Sequence, residues 1–288
     1  MGEPRYSTVL ITGASSGIGR AMALWWAKRG AKVFAAARRE AQLRSLADAA
    51  GGRVEPVVLD CSREGETLRR IQDIDDACGG LHLVIANAGV GDPTPARLAT
   101  WPDIERVLRI NVMGAAATLT AVLPRMVERD RGHVVGISSV ASYRGLGAYS
   151  AYCGSKAFLS TFLESVRVDL CGTRVRVTCI EPGFVKSEMT ARIEGRAPMP
   201  FIADVDDAAE RFGRAIVRGT RRCAYPRVHA WSSRAITWIP SAVFEPIAQR
   251  ASRPQIEMFQ SERSAAVAAT AATAANGSAT TGVDALSR

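Results

Sequence analysis

The chain has 288 residues, 47% of them hydrophobic and 23% charged, with a formal net charge of +9. This length and apolar content suit one large domain with a substantial core and exclude a fibrous or wholly disordered chain. The positive charge is spread along the sequence and only 6% of residues are aromatic, which weighs against a nucleic-acid binder.

Residues 1–7 are polar in the main, so no secretory leader is expected and a cytoplasmic location follows. Residues 8–11 form a short apolar run that predicts a buried strand. It leads into Thr12-Gly13-Ala14-Ser15-Ser16-Gly17-Ile18-Gly19 and then a helical pattern through Met22, Leu24, Trp25 and Ala27. Strand, glycine-rich turn and helix is the setting in which backbone N–H groups and the helix dipole hold a pyrophosphate. The alternative is a turn that needs glycine only for its backbone angles. Residues 32–37 predict a second strand, which ends on Arg38-Arg39 rather than on an acid. An acidic residue there would hold the ribose hydroxyls of NAD, whereas an arginine suits the 2′-phosphate of NADP. Arg38 is therefore the candidate phosphate ligand, with NADP preferred over NAD.

Residues 54–60, 81–86, 133–137 and 174–180 predict four more strands, and 222–227 a seventh. Helical stretches are expected at 63–78, 101–128 and 150–171. Strands alternating with helices predict an α/β fold: a Rossmann-like, doubly wound parallel sheet with helices on both faces. The strand ends would then line one crevice, bringing together the glycine loop, Arg38, Asp60, Asn87-Ala88-Gly89, Ser139 and Pro182-Gly183. Within the helix at 150–171, Tyr152 and Lys156 are four residues apart and share a face. A phenol has an ordinary pKa near 10; a fixed ammonium beside it favours the phenolate and makes it a usable acid–base. Tyr143 and Tyr149 have no lysine at that spacing.

These ordered motifs resemble those of the short-chain dehydrogenase/reductase family over about residues 7–190. The motifs are Thr12-Gly13-x-x-x-Gly17-Ile18-Gly19, Asp60, Asn87-Ala88-Gly89, Asn111, Ser139, Tyr152 with Lys156, and Pro182-Gly183. The resemblance implies an oxidoreductase passing a hydride between NADP(H) and a carbonyl/secondary alcohol pair, usually as a homodimer or homotetramer. Tyr152 would be the acid–base. Lys156 would lower its pKa and hold the nicotinamide ribose. Ser139 would orient the substrate oxygen, with Ser138 as the competing choice. Asn111 would hold a water relaying protons to Lys156. Gly13, Ser15, Ser16, Gly17, Ile18, Gly19, Asn87, Ala88 and Gly89 would line the nucleotide site, Asp60 would meet the adenine, and Pro182, Gly183 and Val185 the nicotinamide end. Each polar residue also has a structural reading: Ser138, Ser139, Asn111 and Asp60 could cap or kink local backbone. A different class of function, a cofactor-binding scaffold or sensor with little turnover, would have no need to keep Ser139, Tyr152, Lys156 and Asn111 together.

Six cysteines (Cys61, Cys78, Cys153, Cys171, Cys179, Cys223) lack C-x-x-C spacing, and His82, His133 and His229 stand apart. Free thiols, structural histidines and no metal site are expected. Residues 187–203 would be a flap over the substrate. Its Met189, Ile193, Met199, Phe201 and Ile202 favour a hydrophobic alcohol or ketone, with plain core packing as the equal alternative. Arg211, Arg214, Arg218 and Arg222, followed by Trp231 and Trp238, leave peripheral docking on an anionic membrane open beside a solvated face or an oligomer interface. The boundaries expected are a catalytic domain at 1–228, an apolar helical extension at 229–261 and a disordered, low-complexity tail at 262–288.

Overall fold

The structure is a computed structural model. It describes residues 6–191 and 201–279, with the backbone alone at 262 and 265–279. Seven strands, β1 (Thr8–Thr12), β2 (Lys32–Ala37), β3 (Val54–Val58), β4 (Leu83–Ala86), β5 (Gly132–Ile137), β6 (Val175–Pro182) and β7 (Arg222–Tyr225), form one sheet. Its order is β3-β2-β1-β4-β5-β6-β7 and every pairing is parallel. The order reverses between β1 and β4, and that switch point opens a crevice at the carboxyl ends of the strands.

The helices are α1 (Gly17–Ala27), α2 (Glu40–Ala49), α3 (Glu64–Ala77), α4 (Trp101–Leu108), α5 (Ala115–Thr120), α6 (Leu123–Glu128), α7 (Ser150–Asp169), α8 (Glu188–Ala191), α9 (Val205–Arg218), α10 (Arg227–Thr237) and α11 (Ser241–Ala279). Alternation along the strands explains why both faces are covered. Val9, Ile11, Val33 and Ala35 point to one side, where Met22, Trp25 and Trp26 of α1 meet Phe212 and Ile216 of α9. Leu10, Phe34, Ala36, Val84 and Val134 point to the other, against Ile71 of α3, Leu119 of α5, and Leu159 and Leu163 of α7. Glycine at 136 is what lets α7 lie close to β5: a Cβ there would stand 2.6 Å from Leu163 Cδ1. The helix that carries Tyr152 and Lys156 is thus seated by sheet packing.

The run Trp101–Glu128 is long and apolar enough to cross a bilayer, but 56% of its most apolar window is buried inside the protein. It packs against α3, α7 and the sheet as a core element.

In the C-terminal region the backbone of α11 runs as helix as far as Ala279. Alanine, frequent in this stretch, is the strongest helix former and loses no side-chain entropy in a helix. Earlier in α11, Ser252 packs on Gly147, and Arg263 donates to the Leu98 carbonyl. Residues 192–200 of the expected flap, including Ile193 and Met199, lie outside the described residues.

Candidate active site

At the nucleotide end, β1 delivers Thr12 and Gly13 into a tight loop. Gly13 has φ +68°, and a Cβ on it would stand 2.7 Å from Ala88 Cα; a Cβ on Gly19 would overlap the Gly13 carbonyl and Asn87. Only glycine fits both places. The first turn of α1 has no side-chain cap and no acidic residue, so the positive end of an eleven-residue helix faces the crevice with backbone donors suited to an anion. This cradle fits a dinucleotide pyrophosphate, and Ile18 anchors its far side by packing into the core. Asn87 holds the loop rather than reaching across it. Its Nδ2 donates to the Thr12 carbonyl (2.9 Å) and the Gly13 carbonyl (3.1 Å), while the Asn87 and Ala88 N–H groups donate to Thr12 Oγ1.

The basic pair after β2 divides its work. Arg38 is exposed, and its charge lies beside Asp60. Arg39 turns to the glycine loop: its guanidinium donates to Ser15 Oγ (3.0 and 3.2 Å) and Ser16 Oγ (2.7 Å), and also to Glu188 Oε2 of α8 (2.8 Å). The residue that joins the loop is thus Arg39, where sequence reading singled out Arg38. Successive side chains in extended backbone point opposite ways, and Arg39 is still extended at φ −87°, ψ 91°. Asp60, just past β3, accepts from the Ser62 N–H (3.0 Å) and hydroxyl (2.8 Å). Burial opposes its ionisation, but these bonds and the charges of Arg38 and Arg63 hold its carboxyl below the usual value.

At the other end of the crevice, the Ser139 hydroxyl lies close enough to the Tyr152 phenol to favour its ionisation. Ser139 Oγ accepts from the Ala141 N–H (3.1 Å) and lies 3.4 Å from the Pro182 carbonyl. One turn along α7, Lys156 is buried, with Nζ donating to the Ile137 carbonyl (2.8 Å) and 5.7 Å from the centre of the Tyr152 ring. Burial brings the ammonium down to about 8. The phenol departs from the sequence expectation. Burial pushes the Tyr152 pKa up, opposed by the Ser139 hydroxyl. The expected lowering by Lys156 does not prevail, because the ammonium points at a carbonyl and desolvating a phenolate outweighs it.

Asn111 lies in a π-helical turn (Arg109–Gly114) between α4 and α5, a local geometry often found at functional sites. Its amide is engaged with protein: Oδ1 accepts from the Val90 N–H (2.8 Å), and Nδ2 donates to the Val90 carbonyl (2.9 Å) and Ser155 Oγ (3.0 Å). It fixes the chain just past Gly89 against α7. A Cβ on Gly89 would lie 3.4 Å from Lys156 Nζ, and one on Gly91 would lie 3.6 Å from Tyr152 Cε2 and 2.9 Å from Met189 Sδ. The Met189 side chain therefore reaches the mouth of the site. Val185 is buried and bridges Ala203, and its carbonyl accepts from Thr190.

Two supports have no local signal in the sequence. Glu181, buried at the end of β6, accepts from Tyr143 OH (2.7 Å) and is ion-paired to Arg222 of β7. Burial and the Glu181 carboxylate raise the Tyr143 pKa. Burial works against the Arg222 charge, but Glu181 overrides it and the pKa rises. His229 of α10 packs on Gly183 and accepts from the Phe184 N–H (3.3 Å), backing the Pro182–Gly183 turn. His133 is bonded to Tyr6 OH and Thr178 Oγ1 (both 2.9 Å) and is structural. Among the described residues, no three His, Cys, Asp or Glu side chains gather to hold a metal.

The short chain dehydrogenase family profile matches residues 7–197. The chain belongs to that family. It is 54% identical over 253 residues, 87% of this chain and 99% of the relative, to an uncharacterized oxidoreductase of Myxococcus xanthus. It is 36% identical to the NADP-dependent 3-hydroxy acid dehydrogenase of Salmonella typhi over 178 residues, 62% of this chain and 72% of that one. Among solved structures it resembles the closed form of serine dehydrogenase complexed with NADP+, with a TM-score of 0.70, 28% identity, and coverage of 75% of this chain and 93% of that one. Short-chain dehydrogenases act on small molecules and commonly form oligomers.

Proposed function

We propose that this short-chain dehydrogenase is an NADP(H)-dependent oxidoreductase that interconverts a carbonyl and a secondary alcohol on a substrate with an apolar body. The observation that carries the reading is that Lys156 and Tyr152 lie one turn apart on α7 against Gly89 and Gly91, with the Ser139 hydroxyl near the phenol, at the far end of a crevice that starts in the glycine loop. Arg39 with Ser15 and Ser16, and Arg38 beside Asp60, support a phosphorylated ribose, as do the NADP-dependent relatives.

NADPH, when bound, supplies the hydride that reaches the carbonyl carbon. The protein's part is the oxygen. Ser139 donates a hydrogen bond to it and fixes its angle. Tyr152, kept protonated by burial, gives its phenolic proton as the carbonyl becomes an alcohol. The Lys156 ammonium then offsets the phenolate left behind. Oxidation runs the same transfers backwards. Asn87 holds the glycine loop and Asn111 the chain at Val90 beside α7, and Lys156 and Val185 would face the nicotinamide half.

Met189 at the mouth of the site supports an apolar substrate, whereas two relatives are named for 3-hydroxy acids or serine. The test is a titration with NADPH against NADH, followed by turnover with hydrophobic ketones and aldehydes beside 3-oxo acids. Turnover confined to the acids would refute the apolar pocket, and binding of neither nucleotide would refute the cofactor assignment.

A second surface supports peripheral contact with an anionic membrane. Val228, Trp231 and Trp238 lie along one exposed side of α10 and its C-terminal end, the two tryptophans 70% and 88% exposed, with Arg227 exposed at the start of the same helix. Sedimentation with phosphatidylserine vesicles, lost on Trp231→Ser with Trp238→Ser, would support the contact. Retention in the supernatant as a larger oligomer would assign the face to a second copy.

A further inference from the structure

Helix α8 touches both ends of the crevice through neighbouring residues. Ser187, just before it, lies against the glycine loop: a Cβ on Gly17 would stand 3.3 Å from Ser187 Cβ. Glu188 Oε2 accepts from Arg39 Nη1 at 2.8 Å, the same guanidinium that donates to Ser15 and Ser16. Met189 meets Gly91 beside the Tyr152 ring. A carboxylate is a smaller relative of a phosphate monoester, and a guanidinium takes either in the same planar fork.

We propose that Glu188 is an internal competitor of the nucleotide 2′-phosphate for Arg39, so that NADP(H) entry breaks the Arg39–Glu188 pair. The inference rests on the NADP reading above and adds the residue that tunes it. The pair suits displacement. Both side chains are substantially exposed, at 39% and 57%, and exposed pairs contribute little to stability. A dianionic phosphate brings more charge and more acceptor oxygens to the fork than one carboxylate. NAD(H) carries no 2′-phosphate and would leave the pair intact.

The experiment measures binding rather than turnover. Dissociation constants for NADPH, NADH, adenosine 2′,5′-bisphosphate and 5′-AMP are compared between the wild type and Glu188→Gln. Loss of an exposed competitor predicts that NADPH and the 2′,5′-bisphosphate tighten by about two- to five-fold, while NADH and 5′-AMP do not change. If the wild type prefers NADPH but Glu188→Gln leaves it unchanged or weakens it, Glu188 is no competitor and only this inference falls. If the wild type binds NADPH and NADH equally, the NADP reading fails and takes the inference with it.

Discussion

Ser138 and Ser139 are adjacent in the chain and face opposite directions. Ser138 Oγ points under α7, donating to the Lys156 carbonyl (2.8 Å) and sharing a hydrogen bond with Ser160 Oγ (2.8 Å). Ser139 Oγ turns instead toward Ala141 and the Pro182 carbonyl, on the side of the Tyr152 phenol that it influences. The end of β5 thus places one hydroxyl in the core and the next in the site. Ser139→Ala is expected to lower kcat with little change in stability. Ser138→Ala should do the reverse, costing about 1–2 kcal/mol through the buried partners it leaves while kcat is largely kept. Urea unfolding and turnover on the two variants check the assignment. Equal loss of kcat from both would mean that Ser138 also reaches the substrate.

Tyr152→Phe removes one oxygen and leaves the ring against Gly91. A positioned acid–base contributes roughly 10²–10⁴-fold to rate, so kcat should fall by at least 100-fold. The nucleotide dissociation constant should stay within about two-fold, because phosphate binding takes place at the other end of the crevice. Retention of more than a tenth of the activity would move the proton transfer to another group.

How far the sequence could be read depended on what each residue's environment required. Buried parallel strands must be apolar on both faces, so residues 8–11, 32–37 and 133–137 announce β1, β2 and β5. The glycine loop is legible because side chains are excluded at Gly13 and Gly19. Contacts between distant segments leave no such mark. Arg39 differs from Arg38 only in the direction set by local backbone, and its partner Glu188 follows 149 residues later. Glu181, Arg222 and Tyr143 meet because β6 pairs with β7 in a register that opposes Cys179 to Arg222.

The same register makes Glu181 and Arg222 a test of support behind the site. Glu181 is fully buried and Arg222 about a third exposed. Removing one partner leaves an unpaired buried charge, which typically costs about 3–5 kcal/mol; the partial exposure of Arg222 puts Glu181→Gln at the lower end. Arg222→Met should be the more harmful single change, since it strands the carboxylate. The double variant Glu181→Gln, Arg222→Met should recover part of the loss. A double variant as unstable as the sum of the singles would mean that the two residues act independently.

Lys156 sets a pH dependence whose sign can be worked out. Burial brings its pKa from 10.5 to about 8 in the folded chain. Between those values the unfolded chain holds a proton that the folded chain has released, so stability from this residue rises with pH across that window. Below pH 8 the buried charge costs most, on the order of 3 kcal/mol for this displacement. Buried Cys61 and Cys179, raised to about 12 and about 11, act in the opposite sense: each stays protonated in the folded chain after the unfolded one has ionised, and their stabilisation is lost as pH rises. They are present in both wild type and Lys156→Met, so they largely cancel in the comparison. The Met variant should therefore be more stable relative to wild type at pH 7 than at pH 10, although inactive at both, and urea unfolding at intervals between those values follows the difference. A difference that stays flat would mean that Lys156 is no harder to charge in the folded protein than in water.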